Sequence, residues 1–341
     1  MASIFYEVEA FTHPLPNGMA SPAKGRHRVP MKRLVWAAAT IGGNPFAPRL
    51  RKRERALEMK WREAMIRASV PRGPRCFYKS SSYRRLAPSE KGAVSFFLGQ
   101  AQAKLFAHDF FHVDKFVAYD HYLEYRKLPR AGTRPDFLGF RGMQTTIAVE
   151  AKGRSGYYDA AAVKTAKMQA ESIPGIVGHA QSTAYVHLAY FDGNEWCAYL
   201  EDPPQQPNAP RASVDPGILT LAYYDPIVAA VRTGRSELVR IGGVQYLRTS
   251  FEDVDTHLLV RADIAELVPP DEAINAADPD RLQSSSAALY ELALALDGER
   301  TVLENEAPLN DDEDDPLFIG DDGVGVELGP SWQARQASDD E

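Results

Sequence analysis

The run Thr145-Thr-Ile-Ala-Val149 passes without a break into Glu150-Ala151-Lys152, and it limits the fold more than any other feature of the chain. A short apolar run bounded by turn residues is a strand entering a buried position. Charges at the end of such a strand need partners, because a buried charge is tolerated only when paired or liganded. One partner lies upstream, where Arg134 to Phe140 reads as a second short extended run carrying Pro135-Asp136. Residues two apart on a strand point to the same side, so Glu150 and Lys152 share a face. If the Pro-Asp strand pairs with this one, Asp136 arrives at the same place, and two carboxylates and an ammonium converge.

That trio suits a hard, oxygen-preferring cation, Mg2+ or Mn2+, bound through one or two carboxylates plus substrate phosphate oxygens. Such a cation polarises a scissile phosphate and lowers the pKa of a bound water. Lys152 would hold or deprotonate that water and neutralise charge building up on the phosphoryl oxygens. The chemistry is phosphodiester hydrolysis.

Periodicity supplies the surroundings. Leu50 to Ser69 reads as a helix with Leu57, Trp61, Ala64, Met65 and Ala68 on one face, stopped by Pro71-Arg-Gly-Pro74. Ser89, after Pro88, is the expected N-cap of a second helix that runs through Phe96, Leu98, Ala101 and Leu105 to about Ala107. Lys115 to Tyr125 reads as a strand. Asp159 caps a helix to about Ser172, and Tyr185–Phe191 and Glu195–Leu200 form a hairpin around Asp192-Gly193-Asn194. Pro203 to Pro210 is a linker. Beyond it lie a helix over Pro226–Arg232, strands over Leu238–Arg248 and His257–Arg261, and a helix over Ala287–Leu296. Residues 1–30, rich in Pro, Gly and His, look irregular, and the acid-rich stretch from Glu304 onward is expected to be disordered.

With Pro135-Asp136, an apolar approach, Glu150-x-Lys152 and a following helix in this order, the chain resembles the PD-(D/E)xK nuclease superfamily over roughly Ser89 to Leu200. The superfamily includes restriction enzymes and many repair and phage-defence nucleases. The resemblance implies an α/β fold with a restriction-endonuclease-like core, a mixed central sheet flanked by helices, and N- and C-terminal additions. It implies Asp136 and Glu150 as metal ligands, the Ala151 backbone carbonyl as a further ligand, and Lys152 as the catalytic lysine. Glu90 is the nearest match to the acid that many members carry on the helix before the first strand. Gln181-x-x-x-Tyr185 resembles an accessory Gln-x-x-x-Tyr element of one branch, and Gln169 competes for the glutamine's role. The expected organisation is a basic region over 1–88, the nuclease core over 89–200, an accessory α/β region over 201–300 and an acidic disordered tail over 301–341.

A formal net charge of −7 would speak against a polyanionic substrate, but the charge is unevenly spread. Lys24 to Lys91 holds nineteen Lys/Arg against four Glu, whereas Glu299 to Glu341 holds fourteen Asp/Glu against two Arg. Phosphate neutralisation supplies most non-specific DNA affinity. Arg51, Lys52, Arg53 and Arg55, then Lys79, Arg84 and Arg85, and Arg154 beside the motif are therefore the expected DNA contacts. The function implied is a metal-dependent deoxyribonuclease of phage defence or restriction, working as a homodimer or with a partner subunit. The alternative is a catalytically silent DNA-binding or assembly subunit on the same scaffold.

Other classes have less support. Two cysteines, Cys76 and Cys197, exclude a disulfide framework and, with no basic leader and no apolar run near the roughly 20 residues a membrane span needs, point to a cytoplasmic setting. No phosphate-binding P-loop or Gly-x-Ser-x-Gly elbow occurs, so ATP is not an expected ligand. His108 and His112 stand four apart, but a third strong ligand is lacking, and stabilisation of a helix C-terminus or a surface position is the better reading.

Overall fold

The computed structural model describes residues 1–11, 19–41, 52–113, 115–125, 134–141, 145–170, 181–202, 214–270, 279–303 and 315–332. The chain is mixed α/β. Its central sheet has seven strands: β1 (Ser3–Glu9), β2 (Ala23–Arg28), β3 (Lys115–Ala118), β4 (Phe137–Arg141), β5 (Thr145–Gly153), β6 (Gln181–Asp192) and β7 (Glu195–Glu201). They lie in the order β2-β1-β7-β6-β5-β4-β3. β5 and β6 are parallel neighbours, as are β1 and β7, and every other pairing is antiparallel.

Strand β5 lies inside the sheet, between β6 and β4, and carries buried apolar residues on both faces: Ile147, Val149 and Ala151 on one, Ala148 on the other. Helix α4 (Pro88–Phe111) covers one face, where Gln102 and Phe106 meet His187 of β6. Helix α6 (Ala160–Ala170) makes the crossover between β5 and β6 and packs on both strands. Parallel neighbours need such a connection. Asp159 caps α6 by accepting from the N–H groups of Ala161 and Ala162.

A second sheet of five antiparallel strands comprises β8 (Ser236–Ile241), β9 (Val244–Phe251), β10 (Thr256–Arg261), β11 (Leu317–Ile319) and β12 (Val324–Leu328), in the order β11-β12-β10-β9-β8. The two sheets are joined through helices α1 (Met31–Thr40), α2 (Lys52–Ser69) and α7 (Pro216–Val231). α7 is buried around its whole circumference, with Asp215 as N-cap and Pro216 pre-setting the first turn. Helix α9 (Pro279–Leu303) packs on it, and α8 (Ala262–Leu267) follows β10. α3 (Ser81–Arg85) lies between α2 and α4. One contiguous apolar core runs from Ala2 to Val326.

Several sequence expectations are corrected. Residues 1–30 are not irregular throughout, because β1 and β2 extend the central sheet through pairing with β7. The region 1–88 thus contributes two strands to the central sheet. Ala87, not Ser89, precedes the first turn of α4, with Pro88 at its first position, and the helix continues to Phe111. Only Lys115–Ala118 of the expected strand is extended, and Tyr119–Tyr125 is helix α5. The helix expected from Pro226 begins ten residues earlier, at Pro216. Leu238–Arg248 divides into β8 and β9 at Gly242-Gly243, whose φ angles of 54° and 86° suit a hairpin turn.

The acidic tail is the largest correction. Residues 315–332 are ordered, because Phe318, Val324 and Val326 are buried and the acids among them have specific partners. Asp322 accepts from the Tyr223 hydroxyl and the Val324 N–H, and Asp321 faces His108 at 3.3 Å. The remaining tail residues, 304–314 and 333–341, and the linker expected at 203–210 lie outside the described residues. Among the described residues no helix is long and apolar enough to cross a membrane.

Candidate active site

β4 and β5 pair antiparallel with Phe137 opposite Val149, so one further step of the register places Asp136 opposite Glu150. Hydrogen bonds fix this step reciprocally. The Asp136 N–H donates to Glu150 Oε2 at 3.1 Å, and the Ala151 N–H donates to Asp136 Oδ2 at 3.1 Å. Lys152, two residues beyond Glu150 and on the same face, donates from Nζ to Glu150 Oε1. The structure thus brings Asp136, Glu150 and Lys152 together beside the start of β4 and the carboxyl end of β5.

The electrostatics follow from burial. Glu150 is fully buried, and burial first, then the Asp136 charge, pushes its carboxyl up to about 7 against the pull of Lys152. Asp136 is also held above the usual carboxylate range, by burial, opposed by Lys152 and the Ala151 N–H. Two carboxylates that resist ionising together constitute a demand for positive charge. One ammonium meets part of it, and a divalent cation would meet the rest.

Donor chemistry fits Mg2+ or Mn2+, since both acids offer oxygen and Asp136 and Lys152 keep contact with solvent. Among the described residues no group of three His, Cys, Asp or Glu side chains is placed to hold a metal ion. The protein share would therefore be two carboxylates, with the Ala151 backbone between Glu150 and Lys152 as neighbour. Mg2+ commonly binds in this way, keeping waters and substrate oxygens in its shell.

One element of this region has no counterpart in the sequence reading. Asp120, in the first turn of α5, adds its charge to the field that raises Asp136. Arg134 holds Asp120 in a bidentate pair, Nη2 to Oδ2 at 2.9 Å, and the Tyr119 N–H donates to the Asp136 carbonyl at 2.9 Å. Reading residues 115–125 as a single strand hid Asp120; its only sequence signal is an acid where a helix begins.

The accessory candidates sit elsewhere. Glu90 accepts from the Ala87 N–H at 2.8 Å and so serves the start of α4. Tyr185 pairs in register with Val149, which directs its ring to the face opposite Glu150, where it stacks on Phe111 at 4.5 Å. It is a core residue under α4. Gln169 is half-buried in the last turn of α6, and Gln181 opens β6, its side chain outside the described residues.

The basic residues divide into two groups. Arg55 is buried and ion-paired to Asp225 of α7 at 3.4 Å, so it joins two helices and is not a DNA contact. Arg51 and the side chains of Lys52 and Arg53 lie outside the described residues. Lys79, Arg84 and Lys91 instead form a cationic cluster with no acidic partner among the described residues. Burial, then Lys91 and Arg84, hold the Lys79 ammonium below its ordinary value. Arg85 is exposed beside them on α3, and Arg154 pairs with Asp159 at 2.8 Å.

His108 is buried, not on the surface. Its Nδ1 lies 2.7 Å from Asp109 Oδ1, and its ring stands edge-on to Trp36. His112 ends α4 in the left-handed conformation at φ 55°. Comparison with protein-family models, curated proteins and solved structures gives no match to this chain.

Proposed function

We propose that the chain is a divalent-metal-dependent nuclease that hydrolyses DNA phosphodiester bonds, on a restriction-endonuclease-like arrangement of β4, β5 and α4. The observation that carries this reading is the reciprocal hydrogen bonding that sets Asp136 and Glu150 face to face, with Lys152 on the same side.

In this reading Asp136 and Glu150 hold Mg2+ or Mn2+, which when bound polarises the scissile phosphate and lowers the pKa of a water. Lys152 supplies a mobile ammonium that leaves Glu150 for the attacking water or for the phosphoryl oxygens, where negative charge grows in the transition state. Asp136 keeps the Ala151 backbone, and with it the Glu150–Lys152 spacing, at a fixed position. Lys79, Arg84 and Lys91 neutralise phosphates away from the scissile one.

A second reading, a catalytically silent DNA-binding subunit, draws on the Glu150–Lys152 ion pair, which engages the lysine. Incubating supercoiled plasmid and single-stranded DNA with the full chain separates the two. Nicking or linearisation that requires Mg2+ or Mn2+ and stops with a chelator supports the enzyme; salt-sensitive binding without cleavage under any divalent ion supports the silent subunit.

A further inference from the structure

The C-terminal end of β5 and β6 carries exposed aromatic rings as well as charge. Gly153, directly after Lys152, packs on the Ser95 carbonyl and the Phe96 N–H of α4. This contact sets the Phe96 backbone beside Gly153, and Phe96 is 52% exposed. From Gly153 the chain turns along the end of β6, with the Arg154 N–H donating to the Ala189 carbonyl and the Phe191 N–H to the Gly156 carbonyl. Tyr157 then projects with 70% of its surface exposed. Its neighbour Tyr158 behaves differently, packing edge-on against Tyr199 at 4.9 Å.

Cations flank the same end. Lys79 lies over the Phe191 ring at 4.8 Å, and Phe191 in turn meets Tyr83, whose hydroxyl bonds Ser95 Oγ at 2.6 Å. Lys91 and Arg84 are the other charges acting on Lys79. A chain of contacts thus runs from Gly153 through Ser95 and Tyr83 to Phe191, over which Lys79 lies. Open rings interspersed with unneutralised cations form the pairing used to hold single strands, since every unpaired base has a face to stack while paired bases are hidden in the duplex. A purely apolar partner would gain nothing from the cations, and a duplex would gain nothing from the rings.

We infer that Phe96 and Tyr157 form a stacking platform for unpaired bases, so that the strand presented to Asp136, Glu150 and Lys152 is single-stranded DNA. This rests on the nuclease reading for the role of the strand, but the platform itself is measured without catalysis. Fluorescence anisotropy in chelator, with a labelled oligothymidylate of about 16 nucleotides and a duplex of equal length, reads it directly. Replacing both rings (Phe96→Ala with Tyr157→Ala) is expected to weaken single-strand binding about tenfold or more while duplex binding changes by less than about twofold. Phe96→Trp with Tyr157→Phe is expected to keep single-strand affinity, because the ring and not the hydroxyl is needed.

Equal losses on both DNAs, or no loss on the single strand, would overturn the platform. The two claims fail separately. A platform that behaves as expected in a protein that never cuts DNA removes the nuclease reading alone, and metal-dependent cutting without ring dependence removes the platform alone.

Discussion

A Cβ built on Gly153 would stand 1.7 Å from the carbonyl oxygen of Ser95. The end of β5 and the middle of α4 are in backbone contact, immediately after the lysine of the candidate site. Gly99, one turn further along α4, meets the Gly153 backbone in the same way, at 2.8 Å from its nitrogen. Small residues at both positions let a helix press directly on the strand that carries Glu150 and Lys152.

Gly153→Ala is therefore expected to destabilise the fold by about 1–3 kcal/mol or more, the range for overpacking a core. Gly92→Ala, on the exposed start of the same helix with nothing within 4 Å, is expected to gain up to about 1 kcal/mol. Denaturant melts of the two variants read the contrast. Similar stabilities would show that α4 and β5 do not touch.

Charge burial elsewhere sets a pH dependence. Burial pushes the Glu63 carboxyl on α2 from 4.5 up to about 8, against smaller pulls from the Thr256 hydroxyl and Lys60. Between those two values the folded chain holds a proton that the unfolded chain has released. Its contribution to stability is complete below about pH 4.5 and is lost as pH rises through about 8. Glu63→Gln is expected to lose this component, so that its stability relative to wild type improves with rising pH by a few kcal/mol at most. Parallel pH profiles for the two proteins would contradict it.

The two groups of cations are expected to separate experimentally. Arg55→Ala strands Asp225 in the core and is expected to cost about 3–5 kcal/mol of stability. Replacing Lys79, Arg84 and Lys91 by Ala is expected to leave stability nearly unchanged. The slope of log affinity against log salt is expected to fall by about 0.7–0.9 for each phosphate that the protein no longer neutralises. Thermal melts and DNA titrations at several salt concentrations test both. A salt slope altered by Arg55→Ala in a still-folded protein would contradict the division.

The ordered part of the acidic tail is expected to be indispensable. Asp322→Ala removes the acceptor of the buried Tyr223 hydroxyl and is expected to cost about 2 kcal/mol or more. Ending the chain before Asp315 is expected to abolish cooperative unfolding, since Phe318, Val324 and Val326 leave the core. Retention of the wild-type melting curve would contradict this.

What the sequence made legible was local. The β4–β5 approach, the β6–β7 hairpin and the Asp159 cap each follow from residues within a few positions of one another. Asp136, Glu150 and Lys152 came together because a strand's alternation and one antiparallel register are enough to align them. Arg55 was illegible because its partner, Asp225, lies far along the chain and only packing of α2 on α7 brings them together. β2 was hidden because residues 1–30, rich in Pro, Gly and His, read as irregular, yet its backbone pairs with β1 along one edge of the sheet. The tail strands were masked by the acids around them, whose buried partners Tyr223 and His108 belong to distant helices.

The most direct test compares Lys152→Ala with wild type on DNA under Mg2+ or Mn2+, after both have been shown to share one melting temperature. Wild type is expected to cleave, and Lys152→Ala to cleave at least about a hundredfold more slowly, the loss typical when a charge-stabilising group is removed from a transition state. Equal cleavage by both proteins, or none by either across DNA substrates and both ions, would contradict a catalytic role for the Asp136–Glu150–Lys152 site.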